Sequence, residues 1–279
     1  MDKVMISVAP VASTDKNIVP GKIAEDVLRC WHAGAAMVHL HVRDAQGSLT
    51  TDMSLLEETL RLIRKNSDII IEVSTGGVSN LSIRERCVPL YSDLVEACSL
   101  NVGSTNLGKA VYCNPLDDVE YCIRELLKMK KTPEVEVFEL GHIHAMQEFM
   151  EQYDFEDPVL FSIVLGHKGE APATPQALAA MIQMIPAGTR WGITHANRRD
   201  FSIIAAALGM GASTVRIGFE DSRYLDAHTI ADSNVPLVEK TVRLLRAMDK
   251  EPMSPAEARR HFNIAGNEQD VEDETTTPT

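Results

Sequence analysis

Eight short apolar runs, each followed by a longer stretch with helical character, set the tightest limit on how this chain can fold. The runs lie at 3–9, 37–44, 69–74, 94–99, 135–140, 159–165, 190–194 and 213–217. Pro20-Gly21 opens the first helix, whose Ile23, Val27, Leu28 and Trp31 form one apolar stripe before Gly34 ends it. Helices are likewise expected at 52–65, 115–130, 145–152, 175–185, 199–208 and 235–248, with Thr174 capping the one that begins at Pro175. Regular alternation of strand and helix builds parallel βαβ units. Eight such units are the number that closes a TIM barrel. The competing α/β architecture, a doubly wound open sheet, lacks support because no G-x-G-x-x-G follows the first strand. The expected fold is therefore a (β/α)8 barrel over 1–250, with 251–279 as a C-terminal extension. Ser254-Pro255-Ala256-Glu257 has the capping-box pattern of a further short helix. Beyond about Asn267 the chain is acidic and Thr-rich, a composition that favours disorder.

A formal net charge of −13 argues against nucleic acid or an anionic membrane surface as a partner. No apolar run approaches the ~20 residues of a membrane span, and no basic segment followed by a long apolar run precedes the first strand. The five cysteines are odd in number and form no C-x-x-C pair, the pattern of reduced thiols in a cytoplasmic protein.

The chemistry concentrates in the second strand, Met37-Val38-His39-Leu40-His41-Val42-Arg43-Asp44. Side chains alternate faces along a strand, so Val38, Leu40 and Val42 share one face and His39, His41 and Arg43 the other. Two imidazoles two residues apart can reach one metal ion, and an open zinc site needs a third His, Asp or Glu from elsewhere. TIM-barrel active sites lie at the C-terminal ends of the strands. Those ends carry Ser74-Thr75-Gly76-Gly77 after the third strand and Ser99 and Asn101 after the fourth. Glu136 points inward from the fifth because Val135 and Val137 point outward, and Arg216 does so from the eighth, with Glu220 and Asp221 just beyond. Glu136 and Arg216 could equally form a structural ion pair inside the barrel. His142, His144, His167, Lys168, His195, Asn197 and Arg198 follow the fifth to seventh strands as pocket or loop residues.

Taken together, His39-Leu40-His41-Val42-Arg43-Asp44, Ser74-Thr75-Gly76-Gly77, Glu134-Val135-Glu136-Val137-Phe138-Glu139 and Val215-Arg216-Ile217-Gly218-Phe219-Glu220-Asp221 resemble the β-keto acid cleavage enzymes, in the same order along the chain. The resemblance runs from about residue 3 to 250. It implies a zinc-bearing TIM barrel, usually a homo-oligomer, that converts a β-keto acid and acetyl-CoA into acetoacetate and a new acyl-CoA. It further implies that His39, His41 and Glu220 hold the metal, and that Arg216 with Asp221 takes the substrate's α-proton. Ser74, Gly77, Ser99 and Asn101 would hold the substrate carboxylate, and Glu136 would be a further active-site carboxylate.

Physical chemistry leaves one role open. Arginine is a poor base unless its surroundings favour proton loss, so Asp221 could be the base, with Arg216 stabilising negative charge. Two other functions use the same residues: a metal-dependent retro-aldolase or hydrolase that needs no CoA, and a non-catalytic metal-binding protein. CoA phosphates are expected near Lys168, Arg198 or Arg199. The loop after the first strand, Ala9-Pro10-Val11-Ala12-Ser13-Thr14, has no acid before Asp15 to meet an ammonium group. A neutral polar or anionic substrate tail is expected instead, as in a β-keto diacid.

Overall fold

The structure, a computed structural model, describes residues 2–265, so the expected acidic tail lies outside the described residues. The elements run β1 (Asp2–Val8), α1 (Pro20–His32), β2 (Met37–Leu40), α2 (Ser54–Arg64), β3 (Ile70–Ser74), α3 (Ile83–Arg86) and β4 (Ala97–Asn101). A hairpin follows, β5 (Thr105–Leu107) and β6 (Ala110–Tyr112), then α4 (Leu116–Lys128), β7 (Thr132–Val137), α5 (Leu140–Gln152) and β8 (Leu160–Leu165). The chain continues through α6 (Pro175–Met184), β9 (Arg190–His195), α7 (Ser202–Gly209), β10 (Thr214–Ile217), α8 (Val235–Ala247), β11 (Lys250–Pro252) and α9 (Pro255–Phe262).

Eight parallel strands follow one another in the order β1-β2-β3-β4-β7-β8-β9-β10, and β10 pairs back onto β1. The sheet is thus a closed (β/α)8 barrel, as the alternation predicts. Outward side chains such as Ile6, Val38, Ile71, Val135, Phe161 and Val215 pack beneath the helices in one continuous core. The parallel register fixes what shares the interior. His39 pairs with Glu72, Ser74 with Ser99, Asn101 with Glu136 and Ser7 with Arg216.

The floor of the barrel is apolar and is completed from the C-terminus. Met5, Met37, Ile70 and Leu160 meet Met253, Ala258, Phe262 and Ile264 in a second buried cluster. β11 adds in parallel to β1, and Ser254 and Glu257 make the expected reciprocal capping box at α9. Phe262 is only 1% exposed. Phe262→Ala is therefore expected to lower stability by about 3–5 kcal/mol, measured by chemical denaturation. A change below ~1 kcal/mol would mean that the extension does not support the barrel.

Three strands differ from the sequence reading by more than one residue. The second is Met37–Leu40 rather than 37–44, so that His41 and Arg43 lie just beyond its end. The fourth strand is Ala97–Asn101 rather than 94–99, because Glu96 just before it is turned toward Arg64 and Arg259. The fifth is Thr132–Val137 rather than 135–140, because α5 begins at Leu140 with Glu139 as its N-cap. The helix expected at 145–152 accordingly starts earlier. Among the described residues no helix is long and apolar enough to cross a membrane.

Candidate active site

The inward residues at the C-terminal ends of the strands open into one cavity of about 1040 Å3. Its wall includes His39, His41, Arg43, Ser74, Gly77, Tyr112, Glu136, His167, Arg216, Glu220 and Asp221. His39, His41 and Glu220 each present one ligand-type atom, all within 4.8 Å of one another. Glu220 Oε1 lies 3.2 Å from His41 Nε2 and 3.7 Å from His39 Nε2. Burial lowers the His41 pKa, which favours the neutral imidazole that can donate a lone pair. Burial acts to raise Glu220, but His41, His39 and Arg216 outweigh it and hold this carboxyl well below its ordinary range.

His39 is oriented from behind. Its Nδ1 is 2.9 Å from Glu72 Oε2, and Glu72 has no solvent exposure. Donation from Nδ1 to that carboxyl oxygen leaves Nε2 as the lone-pair nitrogen on the Glu220 side. Glu72 is in turn hydrogen-bonded to Glu134, and burial plus the Glu72 charge push Glu134 well above the usual carboxylate range. Glu134 is thus the member that holds its proton more firmly. Glu72 itself rises to about 8, from burial, with the Glu134 hydrogen bond working the other way.

Arg216 occupies the opposite side of the same site. Its Nη2 donates to Asp221 Oδ1 at 2.8 Å and its Nε to Asp221 Oδ2 at 3.3 Å, a two-pronged contact. Nη1 donates to Glu136 Oε1 at 2.6 Å, and Nη2 is 3.6 Å from Glu220 Oε1. Burial acts against the charged guanidinium, but Asp221, Glu136 and Glu220 together raise its pKa well above the ordinary value. The arginine therefore rests as a cation, and the ion pair between Glu136 and Arg216 considered from sequence is present.

The third-strand turn forms a different wall. Gly76 N donates to Ser74 Oγ at 3.1 Å, and Ser99 Oγ donates to the same oxygen at 3.4 Å. A Cβ on Gly76 would sit 1.6 Å from the Tyr112 hydroxyl, and one on Gly77, at φ 129°, would sit 2.5 Å from Leu49 Cδ1. Both glycines are there because other loops close over this turn. Ser99 is completely buried beneath Ser74, off the cavity surface. Asn101 is also buried, and neither Nδ2 nor Oδ1 of its side chain has a partner.

Some polar residues noted in the sequence have other places. His142 sits in the first turn of α5, where its Nδ1 accepts from Phe138 N at 3.3 Å and its Nε2 faces Ser104 O at 3.3 Å. His144 is exposed beside Glu148. Arg198 is 1% exposed and turned onto the backbone carbonyls of Tyr224 and Ser222, which removes it from a phosphate-binding role; Lys168 remains at the cavity. Sequence reasoning missed the β5–β6 hairpin, which brings Leu107, Gly108, Ala110 and Tyr112 to the rim. Its signal was Gly108-Lys109 between two short β-forming runs. It also missed the role of Glu72, whose signal was a lone acid in an otherwise apolar strand.

Residues 3–264 match the profile of a family described as beta-keto acid cleavage enzyme. The chain is 34% identical over 245 residues to the 3-keto-5-aminohexanoate cleavage enzyme of Fusobacterium nucleatum, covering 87% of this chain and 89% of that protein. It is 30% identical over 280 residues to the 3-oxoadipate:acetyl-CoA acetyltransferase of Cupriavidus necator, covering 95% and 96%. Among solved structures, the apo structure of ObcA superposes with a TM-score of 0.77 at 19% identity, covering 89% of this chain and 65% of that one. That likeness bears on the barrel alone. The profile match and the relatives at 30% identity and above together establish that this chain belongs to the beta-keto acid cleavage enzymes, a family of enzymes.

Proposed function

We propose that the chain condenses a β-keto acid with acetyl-CoA, giving acetoacetate and a new acyl-CoA, with one zinc ion held by His39, His41 and Glu220. The observation that carries this reading is the convergence of that triad and the Arg216–Asp221 pair on one cavity, in a chain of this family. The donor set suits zinc: two imidazoles and an ionised carboxylate leave a position for a substrate oxygen. Zinc bound there would polarise the keto oxygen and stabilise negative charge on it.

The chain's own residues supply the rest. Arg216, kept cationic by its three carboxylate neighbours, balances charge developing on the substrate. Asp221 is then the proton acceptor, through Oδ2, whose contact with Arg216 is the longer of the two. Ser74 and the Gly77 backbone, both on the cavity wall, receive the substrate carboxylate, with the buried Asn101 amide behind Gly76 and Ser99 acting through its hydrogen bond to Ser74. Glu136 holds Arg216 in place from the cavity side. As part of the same reading, the protein works in the cytoplasm as a homo-oligomer, a dimer or tetramer, with its cysteines as free thiols.

The test is CoA dependence: product from a panel of β-keto acids should appear only with acetyl-CoA present. Equal product without it would favour a retro-aldolase or hydrolase at this site. Glu72→Leu removes the acceptor that orients His39 from behind, so metal affinity should fall by about 10–100-fold. Competition with a chelator measures this, and unchanged affinity would show that Glu72 does not support the ligand.

A further inference from the structure

The carboxylate subsite on the third-strand turn consists of neutral groups, and its donors are few. Ser74 Oγ accepts from Gly76 N and Ser99 Oγ, which leaves it one hydrogen, held only by Gly76 O at 3.5 Å. A carboxylate offers about four lone-pair positions on its two oxygens. One serine hydroxyl and one backbone amide do not fill them. A further donor stands at the same place. Tyr112 ends β6, is 3% exposed and lines the cavity. Its oxygen and the unpartnered Asn101 Nδ2 both lie within 3.0 Å of the point where a Gly76 Cβ would sit, so glycine at 76 is what lets the hydroxyl reach the turn.

That hydroxyl has a hydrogen to give. Among the described residues its oxygen accepts from Arg86 Nη2 at 3.4 Å, and it donates to none. Burial pushes its pKa up, although the Arg86 charge and a hydrogen bond from the Gly77 amide oppose this, so the group stays protonated. Arg86 also sets its place. Reaching from the end of α3, it donates through Nε to Thr75 O at 2.8 Å, through Nη1 to Cys113 O at 3.1 Å and through Nη2 to Asn114 Oδ1. Its guanidinium carbon lies 5.3 Å from the centre of the Tyr112 ring. One arginine thus ties the turn after β3 to the segment that carries Tyr112. The ring itself packs edge-on against Phe138, with centroids 6.5 Å apart.

On the acyl-transfer reading above, we propose that Tyr112 contacts the substrate: its hydroxyl donates to the carboxylate of the β-keto acid beside Ser74, and Arg86 is the positioning residue that holds it there. The positive charge of Arg86 then reaches the carboxylate through a polarised O–H. That carboxylate passes unchanged into acetoacetate, so its contacts are the same before and during the reaction. Interactions of that kind lower KM and leave kcat little altered. A tyrosine that served only to pack against Phe138 would be replaced by phenylalanine without effect on either.

The experiment uses the full-length zinc-loaded protein and the best β-keto acid of the panel above. Tyr112→Phe keeps the ring and its packing. It should raise the KM for that acid by about 10–100-fold, the range for one hydrogen bond to a charged group, while kcat and the KM for acetyl-CoA change by less than ~3-fold. Arg86→Met should raise the same KM. In the double variant the rise should stay well below the product of the two single effects, because both act through one hydrogen bond. An unchanged KM in Tyr112→Phe overturns the contact, as does a loss confined to kcat or shared with acetyl-CoA. Single effects that multiply overturn the positioning role of Arg86. If no β-keto acid turns over, the acyl-transfer reading falls, and calorimetric titration with acetoacetate and its methyl ester still decides the contact. Tighter binding of acetoacetate, with the margin lost in Tyr112→Phe, supports it. No margin in the wild type, or one unchanged in the variant, refutes it.

Discussion

Replacing both His39 and His41 by alanine is expected to reduce bound zinc from about one ion per chain to near zero, and turnover by at least ~1,000-fold. The loss follows from removing two of the three groups that converge on one point and, with them, several kcal/mol of charge stabilisation. The barrel should persist, because its core lies on the outward faces of the strands and in the apolar floor. Thermal stability should nevertheless fall. Glu72 is buried against His39, and a buried acceptor left without its partner costs about 1–3 kcal/mol. Elemental analysis of the purified variant, with circular dichroism to verify the fold, checks both parts. Full metal content in the double variant would contradict the ligand assignment.

The second large effect belongs to the pair across the site. Arg216→Lys keeps the charge but cannot reproduce contacts to Asp221 through two nitrogens and to Glu136 through the third. Asp221→Asn keeps the shape but cannot accept a proton. Each is expected to lower kcat by at least ~100-fold with zinc content retained. Asp221→Asn should also abolish exchange of the substrate's α-hydrogen with deuterated solvent, which separates a proton-transfer defect from a binding defect. Near-normal turnover in either variant would make the pair structural.

Most of the barrel was legible because each strand is an apolar run bounded by polar turns and each helix carries a periodic stripe. The elements that were misplaced are those in which a side chain overrides the local pattern. Leu140 looks like the end of a strand, yet it stands in the first turn of α5 and is 42% exposed. Val95 reads as strand, but Glu96 beside it is drawn to two arginines from distant helices. The site was legible where chemistry and strand parity coincide, as at His39, His41, Glu136 and Arg216. What sequence could not give was anything set by how distant segments meet. Glu72 comes behind His39 through the register of β3 against β2, and Tyr112 comes over Gly76 from the β5–β6 hairpin.

The central claim is carbon–carbon bond exchange between a β-keto acid and acetyl-CoA at the triad and the Arg216–Asp221 pair. Acetyl-CoA labelled with 13C in both acetyl carbons tests it most directly, with the products read by NMR and mass spectrometry. The account predicts acetoacetate labelled at C3 and C4, with C1 and C2 drawn from the β-keto acid, and an unlabelled acyl-CoA carrying the remainder of that acid. Unlabelled acetoacetate, or a free carboxylic acid in place of the new acyl-CoA, would contradict it.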